Sequence, residues 1–287
     1  MAKKDSLKQQ KFMSFMFRGK EIFKPLNTGH IDERVSCIRE YVANIYFYSK
    51  DGYTIMIDAG YNYDRLAEKM RWIDIRPESI NEIIVTHQDT DHVGAIEVDS
   101  QGLFKTAKIY VGRVENEYLE GRVRRKVYWG LYKLPQVHIE NDKTLIEDGE
   151  IFYIHDIKIE AFLVPGHTWG HLVYLIDDAY LFTGDTIWFG ADGGYAFLNT
   201  LAEDRKLQSV SLKRLEEKLR KRNPSLKIIT GHTGWTDDFD FAFRHVDEIC
   251  NALRRKPKVQ DPKAPYDGFD ESGDTEDKTR TIILEKC

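Results

Sequence analysis

Apolar positions in this chain form short alternating runs broken by turn residues, and two stretches repeat one plan. In the first, Asn44–Tyr48 and Tyr53–Ile57 flank Lys50-Asp51-Gly52, a pattern that predicts a β-hairpin. Its second strand runs into Asp58-Ala59-Gly60. A helix is predicted around Tyr63–Trp72, and the apolar strand Glu82–Thr86 ends at His87. In the second stretch, His171–Ile176 and Tyr180–Phe182 flank Asp177-Asp178, and the strand ends at Gly184-Asp185. A helix with Leu212, Leu215 and Leu219 on one face follows, stopped by Asn223-Pro224. The strand Leu226–Thr230 then ends at Gly231-His232. Each half reads hairpin, Asp, helix, strand, His.

Polar residues at strand ends collect along one edge of a sheet, and helices cover the outer faces of paired sheets. The plan therefore predicts an α/β fold, a four-layer αββα sandwich whose polar edge gathers residues distant in sequence. Gly121–Pro135 reads as an insertion (about 116–140 at its widest) carrying the basic run Arg122-Val123-Arg124-Arg125-Lys126 and then Tyr128-Trp129. After the helix-like Phe241–Arg255, the segment Lys256–Lys278 is rich in Pro, Gly, Asp and Glu, and Thr281–Leu284 returns to strand character. The expected organisation is one domain over residues 1–255 and a C-terminal extension, 256–287, packed on that domain or on a partner, which leaves room for a homodimer.

Composition changes this picture little. Hydrophobic residues make up 41% and charged residues 31%, which excludes wholesale disorder. A net charge of −5 gives no pointer to nucleic acid or an anionic membrane. Cys37, Cys250 and Cys287 have no paired spacing, so neither a disulfide scaffold nor a cysteine zinc site is expected. The N-terminal apolar stretch Phe12–Phe17 is too short for a signal-peptide core, and no run approaches a membrane span. The expected location is the cytoplasm.

The chemistry concentrates at the strand ends. Thr86-His87-Gln88-Asp89-Thr90-Asp91-His92 sets four metal-capable side chains in a tight loop after an apolar strand, where alternate side chains can face two neighbouring ions. Pro165-Gly166-His167-Thr168-Trp169-Gly170-His171, Thr183-Gly184-Asp185-Thr186 and Thr230-Gly231-His232-Thr233-Gly234 each put one potential ligand beside glycine, where backbone can approach an ion closely. A lone His beside Gly is usually a turn residue; the ordered series is what carries weight. His30, His138, His155 and His245 lack such context and read as ordinary surface or turn histidines.

This series resembles the metallo-β-lactamase superfamily, whose pattern is His-x-His-x-Asp-His, a later His, a bridging Asp and a final His. The resemblance covers about residues 35 to 235. It implies the αββα fold of that family and a site for two divalent metal ions. By position, His87, Asp89 and His167 would hold the first ion, Asp91, His92 and His232 the second, and Asp185 would bridge. Asp58 matches a structural Asp that supports the metal loop, and His171 reads equally as a partner of the ligands or as a polar residue at a helix start. One departure stands out: Asp89 replaces the family's second motif histidine. A third carboxylate makes the shell more negative, so iron or manganese is expected to work at least as well as zinc.

The resemblance also implies a hydrolase that attacks an ester, lactone, thioester or phosphoester of a small molecule with a metal-bridging hydroxide, Asp91 holding or shuttling the proton. The basic run reads either as a solvated helix face or as a recognition element for an anionic substrate, with Tyr128 and Trp129 as a wall. Two other classes stay open. A di-iron centre binding oxygen or nitric oxide is favoured by Asp89 and disfavoured by the lack of a flavodoxin domain. The other is a non-catalytic metal sensor.

Overall fold

The computed structural model describes residues 23–248, except 24, 41–42, 61–62, 100–101 and 223–224, together with 267–268 and 285–286. Its first sheet runs in the order β18 (Asp267–Gly268), β1 (Gly29–His30), β2 (Val35–Glu40), β3 (Ala43–Lys50), β4 (Tyr53–Ile57), β5 (Glu82–Val85), β6 (Lys108–Gly112) and β9 (Lys143–Ile146). The second runs β10 (Ile151–Ile154), β11 (Ile157–Leu163), β12 (Leu172–Ile176), β13 (Tyr180–Phe182), β16 (Lys227–Ile229) and β17 (Trp235–Thr236). A ribbon of β14 (Ile187–Gly190) and β15 (Gly193–Ala196), and a small sheet of β7 (Lys126–Val127), β8 (Tyr132–Lys133) and β19 (Glu285–Lys286), complete the strands. The helices are α1 (Tyr63–Trp72), α2 (Thr90–Val98), α3 (Arg113–Leu119), α4 (Arg205–Arg220) and α5 (Phe239–Phe243).

The repeated plan is present in the backbone. β3 and β4 form an antiparallel hairpin and β5 lies parallel to β4; β12 and β13 form an antiparallel hairpin and β16 lies parallel to β13. Asp51 and Gly52 both take positive φ, 49° and 81°, the geometry that matches a two-residue turn to strand twist.

Three apolar layers separate the four structural ones. Strand side chains alternate with a period of two, so neighbours along one strand enter different layers. Ile83 and Val85 pack outward with Leu66 and Met70 of α1 and Val93 and Ile96 of α2. Ile84, between them, faces inward with Ile57, Ile159, Tyr174, Ile176 and Phe182, where the two sheets meet. Val173 and Leu175 pack on the other outer face with Leu212, Leu215 and Leu219 of α4. Burying an aliphatic side chain of this size stabilises by roughly 1.5–3 kcal/mol, so these layers dominate the stability of the fold.

Two sequence expectations change. The helix expected over Phe241–Arg255 is the five-residue α5; beyond it the His245 backbone N–H donates to Gly194 O at 2.9 Å and its ring stacks on Tyr195. Residues 249–255 lie outside the described residues, as do Thr281–Leu284. The basic run is no helix face either: Lys126–Val127 and Tyr132–Lys133 pair as a hairpin whose turn carries Tyr128 and Trp129 at positive φ, 50° and 59°. From the extension, Asp267–Gly268 pairs with β1 and Glu285–Lys286 with β8, against their own domain. Among the described residues no helix is long and apolar enough to cross a membrane.

Candidate metal centre

Asp58, at the end of β4, organises the loop after β5. It takes a positive φ of 59° and accepts hydrogen bonds from the Thr86 backbone N–H at 2.8 Å and from the Thr86 hydroxyl. It also holds His92 Nδ1 at 2.8 Å, which fixes that ring and turns Nε2 the other way. His87 Nδ1 faces the Thr86 hydroxyl at 3.0 Å, with the same effect. Both Nε2 atoms are then buried without a hydrogen-bond partner, as is Asp185 Oδ1. Orphaned buried acceptors are costly unless a cation or a hydrogen-bond donor satisfies them, and a cation fits this set of donors.

The donors fall into two clusters, His87, His167 and Asp185, and Asp91, His92 and His232, each with its ligand atoms within 4.8 Å of one another. Asp185 lies between them. Its Oδ2 is 2.9 Å from His232 Nε2, 3.6 Å from His167 Nε2 and 3.8 Å from His87 Nε2, while Oδ1 is 3.2 Å from His92 Nε2. Against burial, which pushes it up, the neighbouring His232 and His92 hold the Asp185 carboxyl well below the usual carboxylate range. Gly231 makes the approach of strands possible: a Cβ there would sit 2.6 Å from Asp185 Oδ1 and 3.0 Å from His92 Cε1.

His171 is a positioning residue for this bridge. Its Nε2 accepts from the Asp185 backbone N–H at 3.1 Å, and its ring stacks on His87. Burial keeps the imidazole neutral, as an acceptor must be. Of the two readings open from sequence, the structure selects the partner of the ligands.

Asp89 behaves differently from its neighbours in the motif and belongs to neither three-donor cluster. Arg125 reaches it from the insertion with a forked pair, Nε to Oδ1 at 2.9 Å and Nη2 to Oδ2 at 3.2 Å. Arg125 is only 2% exposed, so this part of the basic run is neither a solvated face nor free to meet substrate. Arg122 is exposed and already paired with Glu117. The reason for expecting a preference for iron or manganese also changes. The extra negative charge of Asp89 is cancelled by Arg125, so the inner shell has the same net charge as a set with histidine in that place.

A second residue went unnoticed in the sequence, Glu115 on α3. Fully buried, it accepts from the Gln88 backbone N–H at 2.8 Å and from the Thr168 hydroxyl at 2.6 Å, joining the two loops that carry His87 and His167. Burial pushes its carboxyl up to about 7. Nothing in the local sequence singles out Glu115, because its partners are distant. Arg125 did leave a signal: a carboxylate placed where a neutral ligand is usual calls for a cation, and the basic run at 122–126 lay unassigned. Phe197 completes the surroundings, its ring 5.1 Å from that of His167 and 5.2 Å from that of His232, and Phe23 covers His232 at 4.6 Å.

Comparison with known proteins bears on the family and the fold. The sequence profile of the metallo-β-lactamase superfamily matches residues 38–232. Among curated proteins, the chain is 26% identical over 179 residues to the probable polyketide biosynthesis zinc-dependent hydrolase BaeB of Bacillus velezensis, spanning 62% of this chain and 67% of that protein. It is 25% identical to the hydroxyacylglutathione hydrolase GloC of Haemophilus influenzae, spanning 63% and 80%. Against the hydroxyacylglutathione hydrolase of Buchnera aphidicola the match is 28% identical but spans only 48% of this chain and 44% of that protein. Among solved structures, a B3 metallo-β-lactamase with an active-site glutamic acid superposes with a TM-score of 0.56 at 14% identity, over 79% of this chain and 88% of that one.

Proposed function

Because the chain belongs to the metallo-β-lactamase superfamily, we propose that it is a metal-dependent hydrolase of a small-molecule ester, thioester, lactone or phosphoester, working with two divalent ions, zinc foremost. The observation that carries this reading is the Asp185 carboxylate, within 4 Å of four histidine nitrogens and shared between two donor clusters. His87 and His167 would hold one ion, Asp91, His92 and His232 the other, with Asp185 touching both. Metal ions bound there supply Lewis acidity and lower the pKa of water from about 15.7 toward about 7.

The protein's own residues do the rest. Asp58 and Thr86 hold His92 and His87 in the tautomers that leave Nε2 as an acceptor. Asp91 is the acid/base candidate, its Oδ2 lying 3.5 Å from His232 Nε2 and 3.9 Å from His92 Nε2 on a side chain that keeps 16% of its surface. It can take a proton on one oxygen and return it to the leaving group. Phe23 and Phe197 keep bulk water from the His232 side, which strengthens charge interactions inside.

Two of the relatives reported above are named as hydroxyacylglutathione hydrolases, which puts acyl-glutathione thioesters first in a substrate panel. The test is that panel run with elemental analysis of the purified protein. Turnover that disappears on chelation and returns with zinc, at two equivalents per chain, is the expected result. Full activity with no more than one equivalent defeats the two-ion reading; metal-loaded protein inert toward every ester, thioester, lactone and phosphoester defeats the hydrolase. The di-iron redox alternative drew its support from Asp89, whose two oxygens are engaged by Arg125.

A further inference from the structure

We propose that Arg125 is a built-in competitor for the first metal position, so that the two ions of the proposed centre bind with unequal strength, the ion at His87, His167 and Asp185 being the weaker. The inference rests on the two-ion reading above and adds a residue from outside the motifs.

The contacts around one guanidinium carry it. Arg125 Nη2 lies 3.1 Å from His167 Nε2, the ring nitrogen that faces Asp185. A neutral imidazole nitrogen has a single lone pair. His167 Nε2 can accept from Arg125 or bind a cation, and it cannot do both. The guanidinium is also a permanent positive charge at this spot, because arginine does not deprotonate in proteins. The same fork engages both oxygens of Asp89, and Oδ1 receives a further hydrogen bond from Gln88 Nε2 at 2.7 Å. Asp89 Oδ2 is 3.7 Å from His87 Nε2 and 3.1 Å from His167 Nε2, close enough to join the first position once released. Arg125 thus withholds two donors from one ion. Carbonyls anchor it in place: Nη1 donates to Lys126 O at 2.9 Å and Nη2 to Leu201 O at 2.5 Å. No comparable cation contacts Asp91 or His92 in the hydrogen bonds and ion pairs of the described residues.

The direction of the effect separates this role from a supporting one. An arginine that merely braced a ligating Asp89 would, when removed, loosen the metal. An arginine that competes would, when removed, tighten it. The experiment is calorimetric titration of chelated protein with zinc, with elemental analysis after dialysis, on wild type and on Arg125→Gln. Glutamine keeps a donor for Asp89 without the charge; Arg125→Met serves in its place if that variant does not fold. Two steps are expected in wild type, the weaker tightening roughly 10- to 100-fold in the variant, while the stronger moves less than about twofold. A single step in wild type that becomes two in the variant supports the proposal equally. A weaker step that is unchanged or looser in the variant overturns it and leaves two-ion binding standing. One step in wild type and in both variants removes the two-ion reading and the proposal together.

Discussion

Asp58 touches no ion in the proposed centre, yet it decides where two of the ligands point. Its carboxylate holds His92 Nδ1 and, through the Thr86 hydroxyl, sets the environment of His87. Outer partners of this kind govern metal affinity through orientation and basicity. Asp58→Ala is therefore expected to reduce zinc affinity roughly 10- to 100-fold, read by competition with a chromophoric chelator. Unchanged affinity in a folded variant would show that the rings are held without it. Glu115 gives a pH signature of opposite character. Its folded pKa, about 7, is raised above an unfolded value near 4.5, because burial penalises the charged form. A carboxyl raised on folding contributes fully below the unfolded value, and that contribution is lost as pH climbs through the folded one. Wild type should thus lose roughly 3 kcal/mol relative to Glu115→Gln as pH rises from about 4 to about 8. Denaturant melts of both proteins across that range check it, and parallel pH profiles would show that Glu115 does not ionise differently on folding.

Helix α4 does more than cover an apolar face. Asp204 caps it, accepting from the backbone N–H groups of Lys206 at 3.0 Å and Leu207 at 2.9 Å. The residues entering the helix are tied to the loop of His167: Glu203 N–H donates to His167 O at 3.1 Å and Asp204 N–H to Gly166 O at 2.9 Å. A Cβ on Gly166 would lie 2.3 Å from Gln208, so only glycine lets the helix seat there. Asp204→Ala is expected to cost about 1 kcal/mol in chemical denaturation, with faster zinc release than wild type. Loss of stability with unchanged release would separate the cap from the loop. These elements also show what a sequence can carry. Hairpins with Asp-Gly or Asp-Asp turns, strands ending in His, and a helix with Leu212, Leu215 and Leu219 on one face are local patterns, and all were legible. The six donors of the two clusters were legible for the same reason, since each sits beside glycine or within one short motif. Glu115 and the acceptor role of His171 were not, because their partners lie in other elements and no period encodes them, and for Arg125 the sequence showed only that Asp89 calls for some cation. The basic run misled because its four basic residues look alike in one dimension, whereas the hairpin buries Arg125 and exposes Arg122.

Across the whole molecule, the donors divide by sheet. His87, Asp91 and His92 follow β5 of the first sheet, and His167, Asp185 and His232 come from loops of the second. Each cluster draws on both, so an ion at either position ties the sheets together and binds only the folded chain. Free zinc at 100 times its dissociation constant should stabilise by about 2.7 kcal/mol, and chelation should lower the melting temperature reversibly. A melting temperature indifferent to chelator would mean that no such tie exists. The division has a temporal side. Apart from β18, every strand of the first sheet precedes Glu147, and the chain then passes to the second sheet through the short segment before Ile151. A chain emerging from the ribosome therefore finishes nearly all of one sheet while both clusters are still open. The first cluster cannot close before residue 185 has emerged, nor the second before residue 232. Both positions could thus be filled only in chains whose synthesis has passed His232, while Asp267–Gly268 and Glu285–Lys286 are still to be added.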